Sequence, residues 1–279
     1  MKTHFISFLY LLVLIQSQLY QPWYKNLYCA GGFYVPDNLI SYSENIPIES
    51  DFSPIRIFID YTNFDSQCEN GNSFNNICTY QGMVKEQLSK AANLMEKIIN
   101  VKRFTQNIKF SDDMLKNELQ ISNYDVQLTE GIPYDYVIVL SINEHVEIKQ
   151  RILGFQGDPR VFEPGTKRPI LGIILIFNND YKHMANKEHF LLHSFLHQII
   201  HLLVFHPKLI KQFPIEGDAY IDGKDYTQYR NMRYITTPKV IEYGKRHFND
   251  NNISELIWIL LPITIMACFI GIKDLCLGI

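Results

Sequence analysis

The chain has 279 residues, of which 47% are hydrophobic and 20% are charged, and its formal net charge is -3. This composition is typical of a globular protein with one large domain or two small lobes, so an intrinsically disordered chain is excluded. Lysine and arginine residues are scattered and form no basic stripe that could follow a phosphate backbone, so we expect no nucleic-acid partner.

The N-terminus has the layout of a secretory signal peptide. Lys2 is followed by an apolar run over residues 5–15 and then by the polar residues 16–18, which is the order of segments in such peptides. The run is too short to cross a bilayer, and a buried N-terminal helix is the alternative. We predict a signal peptide at residues 1–17, cleaved near Ser17, and entry into the secretory pathway.

The chain has five cysteines, and an odd number leaves at least one thiol unpaired. Cys68 and Cys78 flank a polar, asparagine-rich loop that can close as a disulfide in an oxidising compartment. The sequence leaves the partners of Cys29, Cys268 and Cys276 open.

Strand patterns and helix patterns are mixed along the chain. Pro54–Asp60 alternates and is rich in branched residues, which predicts a strand. Gln81–Val101 has apolar residues at helical spacing, which predicts an amphipathic helix. Short apolar runs predict further strands at Tyr136–Ser141 and Ile170–Phe177, and a long apolar helix is predicted from Lys187 to Phe205. The sequence therefore predicts an α+β fold.

Histidines recur every four residues along the last predicted helix, at His193, His197 and His201. Residues at this spacing share one helix face. A pair of histidines four residues apart is the zinc-holding half of the HExxH motif, in which the intervening glutamate takes a proton from metal-bound water. A helix with hydrogen-bonded histidines and no metal is the alternative on spacing alone.

The sequence from His197 to Phe205, HQIIHLLVF, resembles the zinc-helix pattern His-Glu-x-x-His-x-Leu-Gly-Phe-Ser of the leishmanolysin family of zinc metallopeptidases. The position of Leu203 and Phe205 sets this frame. Five further segments resemble the family in the expected order: Ser53–Ile57, Asp135–Ile138, Arg168–Gly172, Ile235–Val240 and His247–Asn249.

The resemblance implies a metzincin-like peptidase domain over residues 18–250. Its fold would be an N-terminal lobe with a mixed sheet, a helix and a zinc-binding helix, followed by a truncated C-terminal part. His197 and His201 would bind zinc, and proteins or peptides would be substrates or partners. An edge strand, expected at Ile170–Phe177, would pair with an extended substrate.

The sequence departs from the family pattern at the catalytic base. Gln198 stands where the family has glutamate, and a neutral amide cannot accept a proton from zinc-bound water. Val204 replaces the glycine after the second histidine, and we expect a strained backbone there because the family's glycine allows a positive φ. If the chain cleaves peptides nevertheless, Glu188 or Glu216 would have to serve as the base.

The family's third zinc histidine and its methionine turn have no counterpart after Asn249. Three other histidines are candidates for a substitute third ligand: His193, His206 and His247. Two protein ligands bind zinc poorly, so we expect weak zinc binding or none.

The segment Leu256–Ile272 carries no charged residue. At about 1.5 Å per residue its helical length is about 26 Å, the lower limit for crossing a membrane. We predict a membrane anchor that leaves the folded domain outside the cytoplasm, at the cell surface or another membrane. A buried core helix and a lipid-anchor signal are the alternatives.

Three hypotheses about function follow. The chain is a non-catalytic family member that serves in surface binding or adhesion, a truncated product of an active peptidase gene, or a working zinc endopeptidase. The missing base and the missing third ligand favour the first hypothesis.

Overall fold

The computed structural model describes residues 39–70, 75–143, 155–177, 188–204, 206, 209, 220–224, 231–235, 238–252, 254 and 256–257. The strands are β1 (Ile40–Ser41), β2 (Ile48–Pro54), β3 (Ile57–Asp60), β4 (Asn100–Phe104), β5 (Tyr136–Asn143), β6 (Phe155–Phe162), β7 (Pro169–Phe177), β8 (Tyr220–Lys224), β9 (Asn231–Ile235) and β10 (Leu256–Ile257). The helices are α1 (Thr62–Glu69), α2 (Asn75–Cys78), α3 (Gln81–Ile98), a π-helix (Met114–Glu118), α4 (Gln127–Glu130), α5 (Glu188–Leu203) and α6 (Pro238–Phe248). The predicted α+β class is confirmed.

The main sheet has five strands in the order β1-β6-β7-β5-β3. Strands β3, β5 and β7 run parallel, and β6 runs antiparallel to β7, so the sheet is mixed. Strands β5 and β7 are nearly continuous runs of buried apolar residues, as expected for parallel strands covered on both faces.

Alternate residues of β5 contribute to two separate cores. Tyr136, Ile138 and Leu140 lie in a core that also contains residues of α3 and α5. Val137 and Val139 lie in the core on the opposite face. Because successive strand side chains point to opposite faces, the sheet separates the two cores, and α5 is held on the face that it shares with α3.

The predicted strand Pro54–Asp60 is part of a longer extended stretch that changes partner. Its first half is β2, which pairs antiparallel with β4, and its second half is β3, which pairs parallel with β5. At the junction the N–H of Ile55 donates to the carbonyl of Ile99 at 2.9 Å. The predicted helix Gln81–Val101 is too long, because α3 ends at Ile98 and Asn100 begins strand β4, which pairs with β2.

The other two strand predictions are confirmed with small shifts, but the predicted edge position is wrong. Strand β5 extends the prediction to Asn143, and β7 begins one residue early at Pro169. Strand β7 is internal, because β6 pairs with its outer side. The glycine and proline residues within β6 (FQGDPRVF) conceal this strand in the sequence.

Helix α1 covers the part of β5 that extends beyond β3. The Gln67 amide accepts a hydrogen bond from the Ile142 N–H at 2.7 Å and donates one to the Ile142 carbonyl at 2.8 Å. Asn63 Nδ2 donates to Ser141 Oγ at 2.8 Å. The predicted disulfide between Cys68 and Cys78 is confirmed and joins α1 to α2.

A charged cluster lies where β3 and β5 begin. The Asp135 carboxylate is fully buried and accepts hydrogen bonds from the Arg56 guanidinium at 2.8 and 3.2 Å and from the Phe104 N–H at 2.9 Å. The Arg168 guanidinium is 3.7 Å from the same carboxylate and lies over the Phe104 ring. Burial raises the pKa of Asp135, but the hydrogen bonds from Arg56 and Phe104 together outweigh this effect. The pKa of Asp135 is therefore below its usual value.

The predicted terminal segments lie largely outside the described residues. Residues 1–17, the predicted signal peptide, and residues 258–272 of the predicted anchor are not described. Leu256 and Ile257, with which that anchor was expected to begin, form a strand paired with β9. Within the described ranges, no helix has both the length and the apolar character needed to span a bilayer.

Candidate metal site on helix α5

Helix α5 forms close to where the sequence predicts it, from Glu188 to Leu203. The ends of the prediction, Lys187 and Phe205, lie outside the described residues. The helix is amphipathic, and its apolar side chains at helical spacing pack into the core that it shares with α3. These buried residues are Leu191, Phe195, Leu196, Ile199, Ile200 and Leu202.

His197 and His201 converge as the motif predicts. Their Nε2 atoms are 3.0 Å apart and the two rings are nearly perpendicular. His201 is buried, whereas His197 is partly exposed. Zinc–nitrogen bonds are about 2.0–2.1 Å long, so both nitrogens can reach one ion with an angle at the metal of roughly 95°, somewhat below tetrahedral. The same separation is that of a hydrogen bond between the two rings, so the geometry agrees with a hydrogen-bonded histidine pair as well as with two ligand positions of a zinc ion.

Gln198 is buried and its amide is held by the neighbouring strand. The side-chain Oε1 accepts a hydrogen bond from the Gly157 N–H on β6 at 2.7 Å. A Cβ atom at Gly157 would lie 2.6 Å from the Gln198 carbonyl oxygen, so only glycine allows the helix backbone to approach this closely. Gln198 therefore lies on α5 next to His197, and its side-chain oxygen is hydrogen-bonded to strand β6 of the sheet.

A second glycine allows close packing one helical turn further along α5. A Cβ atom at Gly172 on β7 would clash with Tyr136 Oη and would lie 2.7 Å from Leu202 Cδ2. Tyr136 Oη in turn donates a hydrogen bond to the Leu202 carbonyl at 3.3 Å. Burial and the nearby Asp158 raise the pKa of Tyr136 well above its ordinary value, so its hydroxyl stays protonated as this donor.

The expectation of strain at Val204 is wrong. The Val204 N–H donates to the Ile200 carbonyl at 2.9 Å, which continues the helical pattern of α5. The non-glycine residues with positive φ in the described part are Gln120, Lys167 and Asn249. Val204 therefore follows the helix and does not adopt the left-handed turn that would require glycine.

The described residues supply no third ligand at this pair. In the part of the chain that the structure describes, no three His, Cys, Asp or Glu side chains are grouped so that they could hold a metal ion. His193 and His206 are described and are not grouped with the pair, so the structure does not bring either substitute ligand into place. The side chain of His247, on α6, lies outside the described residues.

Of the two alternative bases, the structure describes Glu188 but not Glu216. Glu188 is exposed at the first residue of α5, roughly 14 Å along the helix axis from His197 at 1.5 Å per residue. Glu188 is therefore far from the histidine pair along α5, and its role as a substitute base stays a prediction.

His189 was not among the predicted residues, although it extends the histidine spacing on α5 by one more turn. Burial lowers the pKa of His193, and the neighbouring His189 lowers it further. His189 is exposed. The signal that would have identified it is the same four-residue spacing, followed one turn toward the helix N-terminus.

Comparison with known proteins adds no relative to this picture. No protein-family model matches the chain, and no curated protein matches it.

Proposed function

We propose that the chain is a degenerate leishmanolysin-like protein of the metzincin branch that binds protein or peptide partners without cleaving them. The sequence segments named above support this proposal, as does a mixed sheet that packs against a helix with a histidine pair. The working site would be extracytoplasmic, in keeping with the predicted signal peptide, the predicted membrane anchor and the Cys68–Cys78 disulfide.

The proposal depends on the glutamine at position 198, which stands where a zinc peptidase of this family has its catalytic glutamate. A zinc peptidase needs a base beside the metal-bound water, and loss of a general base costs roughly 10²- to 10⁴-fold in rate. Gln198 cannot take up a proton, and its oxygen is hydrogen-bonded to Gly157. His197 and His201 would supply two nitrogens to a zinc ion, but two ligands without a base do not activate a water molecule for peptide hydrolysis.

The test measures peptide cleavage and zinc binding by the purified protein. We expect no hydrolysis of casein or of unstructured peptides above background, with or without added zinc. We expect less than one tightly held zinc ion per chain, and weaker binding still after His197→Ala. Gln198→Glu should not restore cleavage, because the third ligand would still be missing.

Chelator-sensitive cleavage by the unmodified protein, lost in His197→Ala, would contradict the proposal and identify a working peptidase. Cleavage by Gln198→Glu alone would show that a third ligand reaches the pair. Alanine replacement of His193, His206 and His247 in that background would then identify the ligand.

A further inference from the structure

We propose that Gln198 is a positioning residue, which clamps α5 to β6 by accepting the hydrogen bond of the Gly157 N–H. This proposal stands on the packing geometry alone and does not depend on whether the chain cleaves peptides. It explains why a glutamine is suited to this position, beyond the loss of a catalytic base.

The first step concerns the direction of the Gly157 N–H. In an antiparallel ladder, residues alternate between those that bond to the neighbouring strand and those whose backbone groups point away from it. Gly157 is opposite Ile174 on β7, yet its N–H donates to Gln198 at 2.7 Å. The N–H of Gly157 therefore points away from β7, toward the outer edge of β6.

The second step concerns what else covers that edge. Among the described residues, strand β1 pairs with β6 at Val161 and Phe162. Gly157 lies beyond this pairing and is buried. A buried backbone N–H without an acceptor is costly, so Gly157 needs a partner from outside the sheet. The Gln198 amide oxygen supplies this partner.

The third step concerns charge and fit. Gln198 is only 6% exposed, and a neutral amide accepts the hydrogen bond without placing a net charge in the core. A Cβ atom added at Gly157 would lie 2.6 Å from the Gln198 carbonyl oxygen and 3.3 Å from its Cβ, so the main chain of residue 198 lies close to the same point of β6 that its side chain binds. An occupied edge donor is also unavailable for pairing with an added extended peptide.

The test compares two buried glutamines. Gln198→Met conserves volume and removes the acceptor, and we expect the folding equilibrium constant to fall about ten- to hundredfold in urea titration. Gln87→Met on α3 is the matched control, because Gln87 is 2% exposed and its Nε2 has no hydrogen-bond partner among the described residues. We expect the control to change stability less than twofold or to increase it.

Hydrogen exchange gives a local readout that a general loss of stability would not produce. In the unmodified protein, the Gly157 amide should exchange as slowly as the amides of β5. In Gln198→Met, the Gly157 amide should exchange at least tenfold faster than the Leu140 amide. Both exchange rates are first corrected for the lower global stability of the variant.

Two outcomes would overturn the proposal. One is equal stability of the Gln198→Met and Gln87→Met proteins with unchanged exchange at Gly157. The other is rapid exchange of the Gly157 amide in the unmodified protein, which decides the question even if Gln198→Met does not fold. Neither outcome bears on peptide cleavage, so failure of the clamp and failure of the proposed function are distinguishable.

Discussion

The main sheet is attached to its surroundings in two different ways. Where β3 and β5 begin, the buried carboxylate of Asp135 interacts with two guanidinium groups and two backbone N–H groups. On the face covered by α5, Gly157 and Gly172 allow close contact, and the neutral amide of Gln198 supplies the hydrogen bond. The first attachment depends on charge, and the second depends on shape.

This difference determines which substitutions each region tolerates. A buried charge must keep its partners, because removing one partner leaves another charge uncompensated. A close backbone contact tolerates loss of charge but does not tolerate added volume. The two regions should therefore respond differently to the same kinds of change.

The largest effect is expected for Asp135→Ala. The change leaves the Arg56 guanidinium and the backbone N–H groups of Arg56 and Phe104 without their shared acceptor, and removes the negative charge that faces the Arg168 guanidinium at 3.7 Å. We expect the free energy of unfolding to fall by about 3–5 kcal/mol, the range for breaking a buried ion pair. Urea unfolding measures the change. A loss below about 1 kcal/mol would show that this cluster contributes little, and the contrast between the two regions would fail.

A smaller effect is expected for Gly172→Ala, which adds a single methyl group at the contact with α5. The new Cβ would clash with Tyr136 Oη and Leu202 Cδ2, and overpacking costs about 1–3 kcal/mol. Tyr136→Phe removes the nearer of the two clashing atoms. The double variant should therefore lose less stability than the sum of the single variants, and strict additivity would contradict a contact limited by shape.

The smallest effect is a pH dependence confined to the charged region. The pKa of Asp135 is lowered in the folded protein, so its contribution to stability is present above the unfolded pKa of about 3.9 and is lost as the pH falls through the lower folded value. Asp135→Asn should be less stable than the unmodified protein at pH 7. The gap should narrow below about pH 4, as urea midpoints at pH 7, 4 and 3 would show, and a constant gap would contradict this linkage.

The sequence predicted elements best where one periodicity extends over a whole element. Strands β5 and β7 are largely apolar, and helix α5 carries apolar residues at helical spacing. Where their predicted ends are described, these ends differ from the structure by at most two residues. Strand β6 was missed because its glycine and proline hide the alternation. Its presence moves β7 from the edge to the interior, and no local pattern in β7 reports that change.

The histidine spacing correctly predicted the convergence of His197 and His201, because helix geometry alone determines it. The role of Gln198 could not be predicted in the same way. Its partner, Gly157, is 41 residues earlier in the chain and belongs to the strand that was missed. The strain expected at Val204 was carried over from a glycine in the family pattern, and the continuing helix removes the need for it.

The side-chain amide of Gln67 covers backbone groups of β5 that no neighbouring strand of the described sheet covers. By bonding both backbone groups of Ile142, this side chain takes the place of a residue on a neighbouring strand. An uncovered strand edge is a template for aggregation. Gln67 is next to Cys68, whose disulfide fastens α1 to α2. Reduction would loosen the helix that shields β5, so the redox state of the surroundings becomes a determinant of solubility as well as of stability.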